Sequence, residues 1–191
     1  MNFDFIYNRL LPFRPLDFPA PGSHCGSAVA AILRPKGKEV EILLIRRAER
    51  SGDPWSGHMA FPGGRADPSD ATLYATALRE TREEIGVDLE THAELVAALD
   101  ELEVFAHGRP TGMGVIAYVF VLRQEPDYQL NHEVQEVVWG EITRMARGES
   151  DTTIEYWMDG VCYEMPAYDV QGRIVWGLTY RILQDLFSKL A

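Results

Sequence analysis

The chain has 191 residues, 46% hydrophobic and 25% charged, enough for one globular domain with a substantial core. Its formal net charge of −11 excludes a general nucleic-acid-binding surface, which needs a basic footprint. An acidic chain still binds phosphates where a metal ion supplies positive charge locally.

Four prolines (Pro12, Pro15, Pro19 and Pro21) make residues 1–22 an irregular arm laid over a body that spans 23–191. SAVAAIL (27–33) and VEILLIR (40–46) flank the turn-forming PKGK and read as a hairpin. RAERSGDPWSG is a loop, and HMAF (58–61) is a short strand that stops at Pro62-Gly63-Gly64. A helix follows, capped by Asp67, Ser69 or Asp70 and running from about 70 to Ile85, where Gly86 ends it. Its apolar stripe is Tyr74, Ala77, Leu78, Thr81 and Ile85. ELVAALDEL (94–102), MGVIAYVFVL (113–122) and EVQEVVWGEI (133–142) read as strands, and residues 152–165 as a hairpin around Asp159-Gly160. WGLTYRILQDLFSKL (176–190) has helical apolar spacing. Strands around one central and one terminal helix predict an α/β fold, layered α/β/α around a mixed sheet.

The central helix gathers Glu80, Glu83 and Glu84 within five positions, opposite its apolar stripe. Like charges so placed repel by a few tenths of a kcal/mol per pair, roughly, and taken alone they read as a solvated face on which Arg79 and Arg82 offset the charge. The Phe61-Pro62-Gly63-Gly64 turn before them and the Gly86 stop after them reverse that balance. Mg²⁺ takes oxygen ligands and bridges to substrate phosphate, and glycines let backbone approach closely. Arg79, four residues before Glu83, can orient a carboxylate by pairing with it.

In this stretch, GGRADPSDATLYATALRETREEIGV resembles the box of the Nudix hydrolase family, Gx5Ex7REUxEExGU with U apolar. Arg79, Glu80, Glu83, Glu84, Gly86 and Val87 match its second half in register. Counted from Gly64, the acidic position falls on Asp70 in place of Glu, Arg79 comes one residue late, and Thr81 stands at the apolar position. FPGG, the longer spacing, TALRE (76–80) and GRIVWGLTYRIL (172–183) look like the coenzyme A diphosphatase branch of that family. LLIRRAERSGDPWSGHMAFPGG keeps that branch's leucines, Arg47, Gly57 and FPGG, but lacks its RS pair and has Asp53 where an arginine is expected.

The resemblance implies a Nudix-like α/β/α sandwich and hydrolysis of a diphosphate linkage in a small nucleoside-diphosphate-linked compound, with coenzyme A or a derivative as first candidate. It implies Mg²⁺, with Mn²⁺ as the alternative, on Glu80, Glu83 and Glu84. Arg79, Glu80, Glu83 and Glu84 would be catalytic, and Gly63 and Gly64 would bind substrate; Arg46 and Arg47 end an apolar strand run and either reach substrate phosphate or simply mark the strand's wet end. The general base stays open between Glu80 and Glu101, Glu103, Glu133, Glu136, Glu149 or Glu155. Trp55, Phe105 and His107 could stack on a base from loops, although loop aromatics more often pack. Trp139 and Trp176 read as core. His24, His58 and His92 have no partner at metal-ligand spacing.

Competing readings are another Nudix substrate (a nucleotide sugar, ADP-ribose, a dinucleoside polyphosphate or a nucleoside triphosphate), a catalytically silent Nudix binding module, and an isoprenoid diphosphate isomerase. The last needs a cysteine acid/base, and Cys25 and Cys162 read instead as reduced core residues. The N-terminus carries no visible secretory signal, VIAYVFVL (115–122) is too short to span a bilayer, and SKL at 188–190 is followed by Ala191. A cytoplasmic protein is the expectation, with neither nucleic acid nor membrane as partner and a homodimer left open.

Overall fold

The computed structural model describes residues 1–22, 25–50, 52, 55–106 and 108–191, with Cys25 described by its backbone alone. His24, Asp53 and His107, weighed above, lie outside the described residues, as does the side chain of Cys25.

In chain order the elements are α1 (Phe3–Leu10), a 3-10 turn (Leu11–Phe13), β1 (Cys25–Lys36), β2 (Glu39–Arg47), β3 (Met59–Ala60) and β4 (Gly63–Arg65). Helices α2 (Leu73–Ile85) and α3 (Leu89–His92) lead into β5 (Ala93–Ala98), β6 (Leu102–Ala106), β7 (Arg109–Leu122) and β8 (Val134–Glu141). A short α4 (Ile142–Ala146), β9 (Asp151–Met158), β10 (Val161–Val170), β11 (Arg173–Trp176) and α5 (Gly177–Leu190) complete the chain.

The main sheet runs β3-β2-β1-β7-β5, with β4 on β1, β6 on β7 and β8 on β2. Among the described residues only β1 and β7 run parallel in it, from Cys25↔Gly114 to Leu33↔Val121, so the sheet is mixed. β8 follows one edge of β2 from Glu41↔Glu141 to Arg47↔Val134. β1 and β3 share the other edge, through Leu33↔Ile42 and Arg46↔Met59. A second, smaller sheet is the meander β9-β10-β11.

Alternation along β2 sorts its side chains between two cores. Ile42 and Leu44 join Ile6 and Leu10 of α1 and Leu183 and Leu186 of α5 on one face. Leu43 and Ile45 join Leu73, Ala77 and Ile85 of α2 on the other. Each buried leucine or isoleucine contributes about 1.5–3 kcal/mol, so both helical layers are held by the same strand. The result is the expected α/β/α sandwich.

Several expectations need correction. The arm is not wholly irregular: Ile6 and Leu10 are buried, and Asn2 caps α1 by accepting from the Phe5 N–H at 2.9 Å. From there the arm crosses to the opposite face, where Phe18 stacks on Tyr74 at 4.3 Å and the Pro19 carbonyl accepts from Leu73 N–H at 2.9 Å. ELVAALDEL is two strands separated by Leu99–Glu101, because β5 and β6 pair with different stretches of β7. Trp139 and Trp176 are only half-buried, and Cys162 is exposed on the β9–β10 hairpin. That hairpin does turn at Asp159-Gly160, with φ of 51° and 78°. Among the described residues no helix is long and apolar enough to cross a membrane.

Candidate active site

Helix α2 begins later than its sequence suggests. Thr72 is the cap, accepting from the Ala75 N–H at 3.1 Å, and Gly86 closes the helix at φ 74°. Asp67, Ser69 and Asp70 belong to the preceding loop, where Asp70 has a different task. Its two oxygens accept from Arg79 Nε at 3.0 Å and Nη2 at 2.9 Å, a two-pronged pair, and from Thr76 Oγ1 and Asp67 N–H at 2.9 Å each. The guanidinium holds the Asp70 carboxyl down at about 2. Arg79 then extends Nη1 to Glu80 at 3.0 Å and to Glu83 at 3.2 Å, and Nη2 to the Arg65 carbonyl at 3.0 Å. The pairing of Arg79 with Glu83 was legible in the sequence; the anchor behind it was not.

The three glutamates are not equivalent. Glu83 is 55% exposed and Glu80 17% exposed, whereas Glu84 is 2% exposed and lies on the buried face with Ala77, Thr81 and Ile85. Spacing explains this, since positions 77, 81, 84 and 85 fall on one side of a helix. The apolar stripe is therefore not opposite all the carboxylates: Glu84 is part of it. Thr81 fits the same face because its hydroxyl donates to the Ala77 carbonyl at 2.7 Å. Burial pushes the Glu84 carboxyl up to about 8, against the pull of one hydrogen bond from the Gly63 N–H at 2.9 Å. Burial also raises Glu80, with Arg79 opposing.

Gly63 and Gly64 lie in strand β4, not in the turn expected for them. Gly63 is forced to be glycine, whereas a side chain at Gly64 would displace Glu80. Gly63 has φ 147°, and a Cβ there would meet the Ala28 carbonyl at 2.4 Å. A Cβ on Gly64 would meet the Glu80 carboxylate at 2.7 Å. The strand thus presents bare backbone to two carboxylates of the helix.

Two arginines that are neighbours in sequence separate in space. Arg47 follows Leu43 and Ile45 toward α2, where its charge acts on Glu84. Arg46 follows Ile42 and Leu44 to the opposite face, within 3.8 Å of Glu136. Of the open general-base candidates, Glu133 is the one whose charge acts on both Glu80 and Glu84. Its loop is fixed at three points: Gln129 N–H donates to the Ile85 carbonyl at 2.9 Å, Asn131 N–H to the Glu84 carbonyl at 3.0 Å, and Ala48 N–H to the Glu133 carbonyl at 2.7 Å. Glu133, Glu136 and Glu149 are each paired with an arginine: Arg50 Nη1 donates to Glu133 at 3.0 Å, Arg173 engages Glu136, and Arg144 lies 3.8 Å from Glu149. Phe105 is exposed beneath the Arg181 guanidinium, and His92 hydrogen-bonds through Nδ1 to the Asp88 carbonyl at 2.9 Å.

A cavity of about 550 Å³ lies beside Arg79, Arg82, Glu83 and the α3 residues Leu89 and Glu90; Glu83 alone of the three glutamates lines it. Among the described residues no three His, Cys, Asp or Glu side chains already surround one point. The donor chemistry nevertheless fits a divalent ion. Glu80, Glu83 and Glu84 offer hard oxygens, and among the described residues the buried Glu84 carboxylate accepts one hydrogen bond, from Gly63 N–H, where an ion would compensate its charge.

The NUDIX domain profile matches residues 24–159, and the chain belongs to the Nudix family. It is a hydrolase acting on pyrophosphate bonds. A Nudix hydrolase NudL of Yersinia enterocolitica is 29% identical over 185 residues, covering 93% of this chain and 86% of that protein. An uncharacterized Schizosaccharomyces pombe protein is 38% identical over 117 residues, 60% of this chain, which spans only 36% of that longer protein. Among solved structures, a C. elegans Ap4A hydrolase in a binary complex shares 28% identity with a TM-score of 0.52, over 63% of this chain and 82% of that one. A Francisella tularensis bifunctional NMN adenylyltransferase/ADP-ribose pyrophosphatase covers 98% of this chain and 47% of its own, with a TM-score of 0.56 and 14% identity, a likeness of fold alone. Nudix hydrolases generally use divalent metal ions such as Mg²⁺.

Proposed function

We propose that this chain is a Mg²⁺-dependent hydrolase of nucleoside-diphosphate-linked compounds, with coenzyme A or a derivative of it as substrate. The observation that carries the catalytic part is the Glu84 carboxylate, buried, pinned by Gly63 N–H and flanked by Glu80, Arg47 and Glu133. Glu80, Glu83 and Glu84 would hold the ion, which when bound would neutralise diphosphate charge and lower the pKa of water. The chain's own residues do the rest. Asp70 fixes Arg79, Arg79 fixes Glu80 and Glu83, and Arg47 offers a guanidinium to a phosphate oxygen beside Glu84. Glu133 takes the proton of the attacking water as its oxygen bonds to phosphorus and the bridging P–O bond breaks. Two phosphate-bearing products leave.

The coenzyme A part rests on FPGG, TALRE and GRIVWGLTYRIL and on the leucines, Arg47 and Gly57 of the preceding segment. The Ap4A hydrolase likeness favours a dinucleoside polyphosphate as the second reading. Mass spectrometry of products from a substrate panel, with Mg²⁺ and then Mn²⁺, tests both. Coenzyme A should give 4′-phosphopantetheine and 3′,5′-ADP faster than any nucleotide sugar, ADP-ribose or Ap4A is cleaved. A faster reaction on one of those reassigns the substrate, and no hydrolysis of any leaves a silent binding module.

A further inference from the structure

A cavity of about 420 Å³ lies on the opposite face of the main sheet from Glu84, between the β2–β3 corner and β11. Arg46, His58, Met59, Arg173, Ile174 and Trp176 line it. Nothing in the hydrolytic arrangement uses it, although GRIVW in its wall belongs to the segment that carries the family-branch resemblance. Its volume falls in the lower part of the range for small-molecule sites, about 300–1,000 Å³, and suits one mononucleotide better than a dinucleotide.

Its chemistry has two parts. The first is charge. Arg173 donates to Glu136 through Nε at 3.2 Å and Nη2 at 2.6 Å, while Arg46 approaches the same carboxylate at 3.8 Å. Two guanidiniums therefore share one partly buried carboxylate, and the other acid at Arg46, Glu49 at 3.4 Å, is an exposed rim residue. The charged residues of the lining are Arg46 and Arg173, and the two acids they meet, Glu136 and Glu49, offset them in number. The second part is aromatic. Trp176 meets His58 edge-on, with ring centroids 5.1 Å apart at 61°, and Tyr156 backs it at 5.2 Å. Met59 and Ile174 supply apolar contact. Guanidiniums suit phosphate and an aromatic wall suits a planar ring, so a group carrying both satisfies the whole cavity.

We propose that this cavity is a second ligand site that takes a mononucleotide, its phosphate on Arg46 and Arg173 and its base against Trp176. The site stands apart from the hydrolytic centre but shares strand β2 with it, since Arg46 points into one and Arg47 toward the other. Binding here needs neither the metal nor turnover, so it stands or falls separately from the hydrolytic reading.

Calorimetric titration of AMP into the full chain in EDTA tests it. Saturable binding in the range of about 10 μM to 1 mM is expected for a partly open site of this size, with adenosine and inorganic phosphate each weaker. Arg173→Gln and Trp176→Leu should each weaken AMP by about tenfold or more, and Glu84→Gln should not change it. Because Trp176 immediately precedes α5, Trp176→Phe keeps a ring there and should restore most of the affinity, with circular dichroism confirming the fold. Absence of saturable heat, binding lost in Glu84→Gln and kept in Trp176→Leu, or equal affinity for phosphate alone would each overturn the proposal.

Discussion

Asp70→Asn tests whether Asp70 is the anchor of the carboxylate face. In the wild type the Asp70 side chain is only 5% exposed and accepts from Arg79, Thr76 and Asp67, and its carboxyl is drawn from the ordinary 3.8 to about 2. At ~1.4 kcal/mol per tenfold change in proton affinity, that difference amounts to ~2.5 kcal/mol. Arg79 is a quarter exposed, so solvent screening reduces the figure to ~1–2 kcal/mol. The sign follows from the depressed value: the stabilisation is present above about pH 4 and is lost as pH falls through about 2. At pH 7 the variant should therefore melt lower by roughly 3–8 °C, and at pH 3 about half of that difference should remain. Arg79, freed from its anchor, should also hold Glu80 and Glu83 less firmly, so kcat at saturating Mg²⁺ should fall by roughly tenfold. Thermal unfolding followed by circular dichroism at pH 7 and pH 3, with activity on the best substrate, provides the readouts. An equal melting difference at both pH values, or none at either, refutes the anchoring argument.

Glu84→Gln should stay folded while turnover drops by a factor of roughly 10² or more, and Glu149→Gln, whose carboxylate pairs with Arg144, should hydrolyse at the wild-type rate. Saturating Mg²⁺ should raise the wild-type melting temperature, by ~2.7 kcal/mol of stability at a hundred times the dissociation constant, and the response should shrink in Glu84→Gln. Glu133→Gln should lower kcat by roughly 10²–10⁴ with the Mg²⁺-induced melting shift retained; loss of that shift would make Glu133 a ligand and not the base. Gly64→Ala places a Cβ within 2.7 Å of the Glu80 carboxylate, so Glu80 must move and activity should fall more than stability does, a split that paired melting and rate measurements resolve.

The sequence by itself determined the helix with its Gly86 stop, the pairing of Arg79 with Glu83, the strands β1, β2, β7 and β8, and the terminal helix. These depend on local periodicity, capping and neighbours three or four residues apart, which a linear pattern records. The tertiary structure decided what each charged residue faces. It buried Glu84 against β4 while leaving Glu83 in solvent, because the sheet covers one side of α2 only. It turned Asp70 from a candidate cap into the partner of Arg79 across nine positions, which requires the loop before α2 to fold back along the helix. It sent Arg46 and Arg47 to opposite faces of β2, a period-two consequence that becomes chemical only once each face has its helix. And it set Glu133, one of seven candidate glutamates, where its charge acts on Glu80 and Glu84, through a loop tied to both α2 and β2. Such contacts join residues tens of positions apart, and no local signal in the chain marks which of several identical side chains will meet.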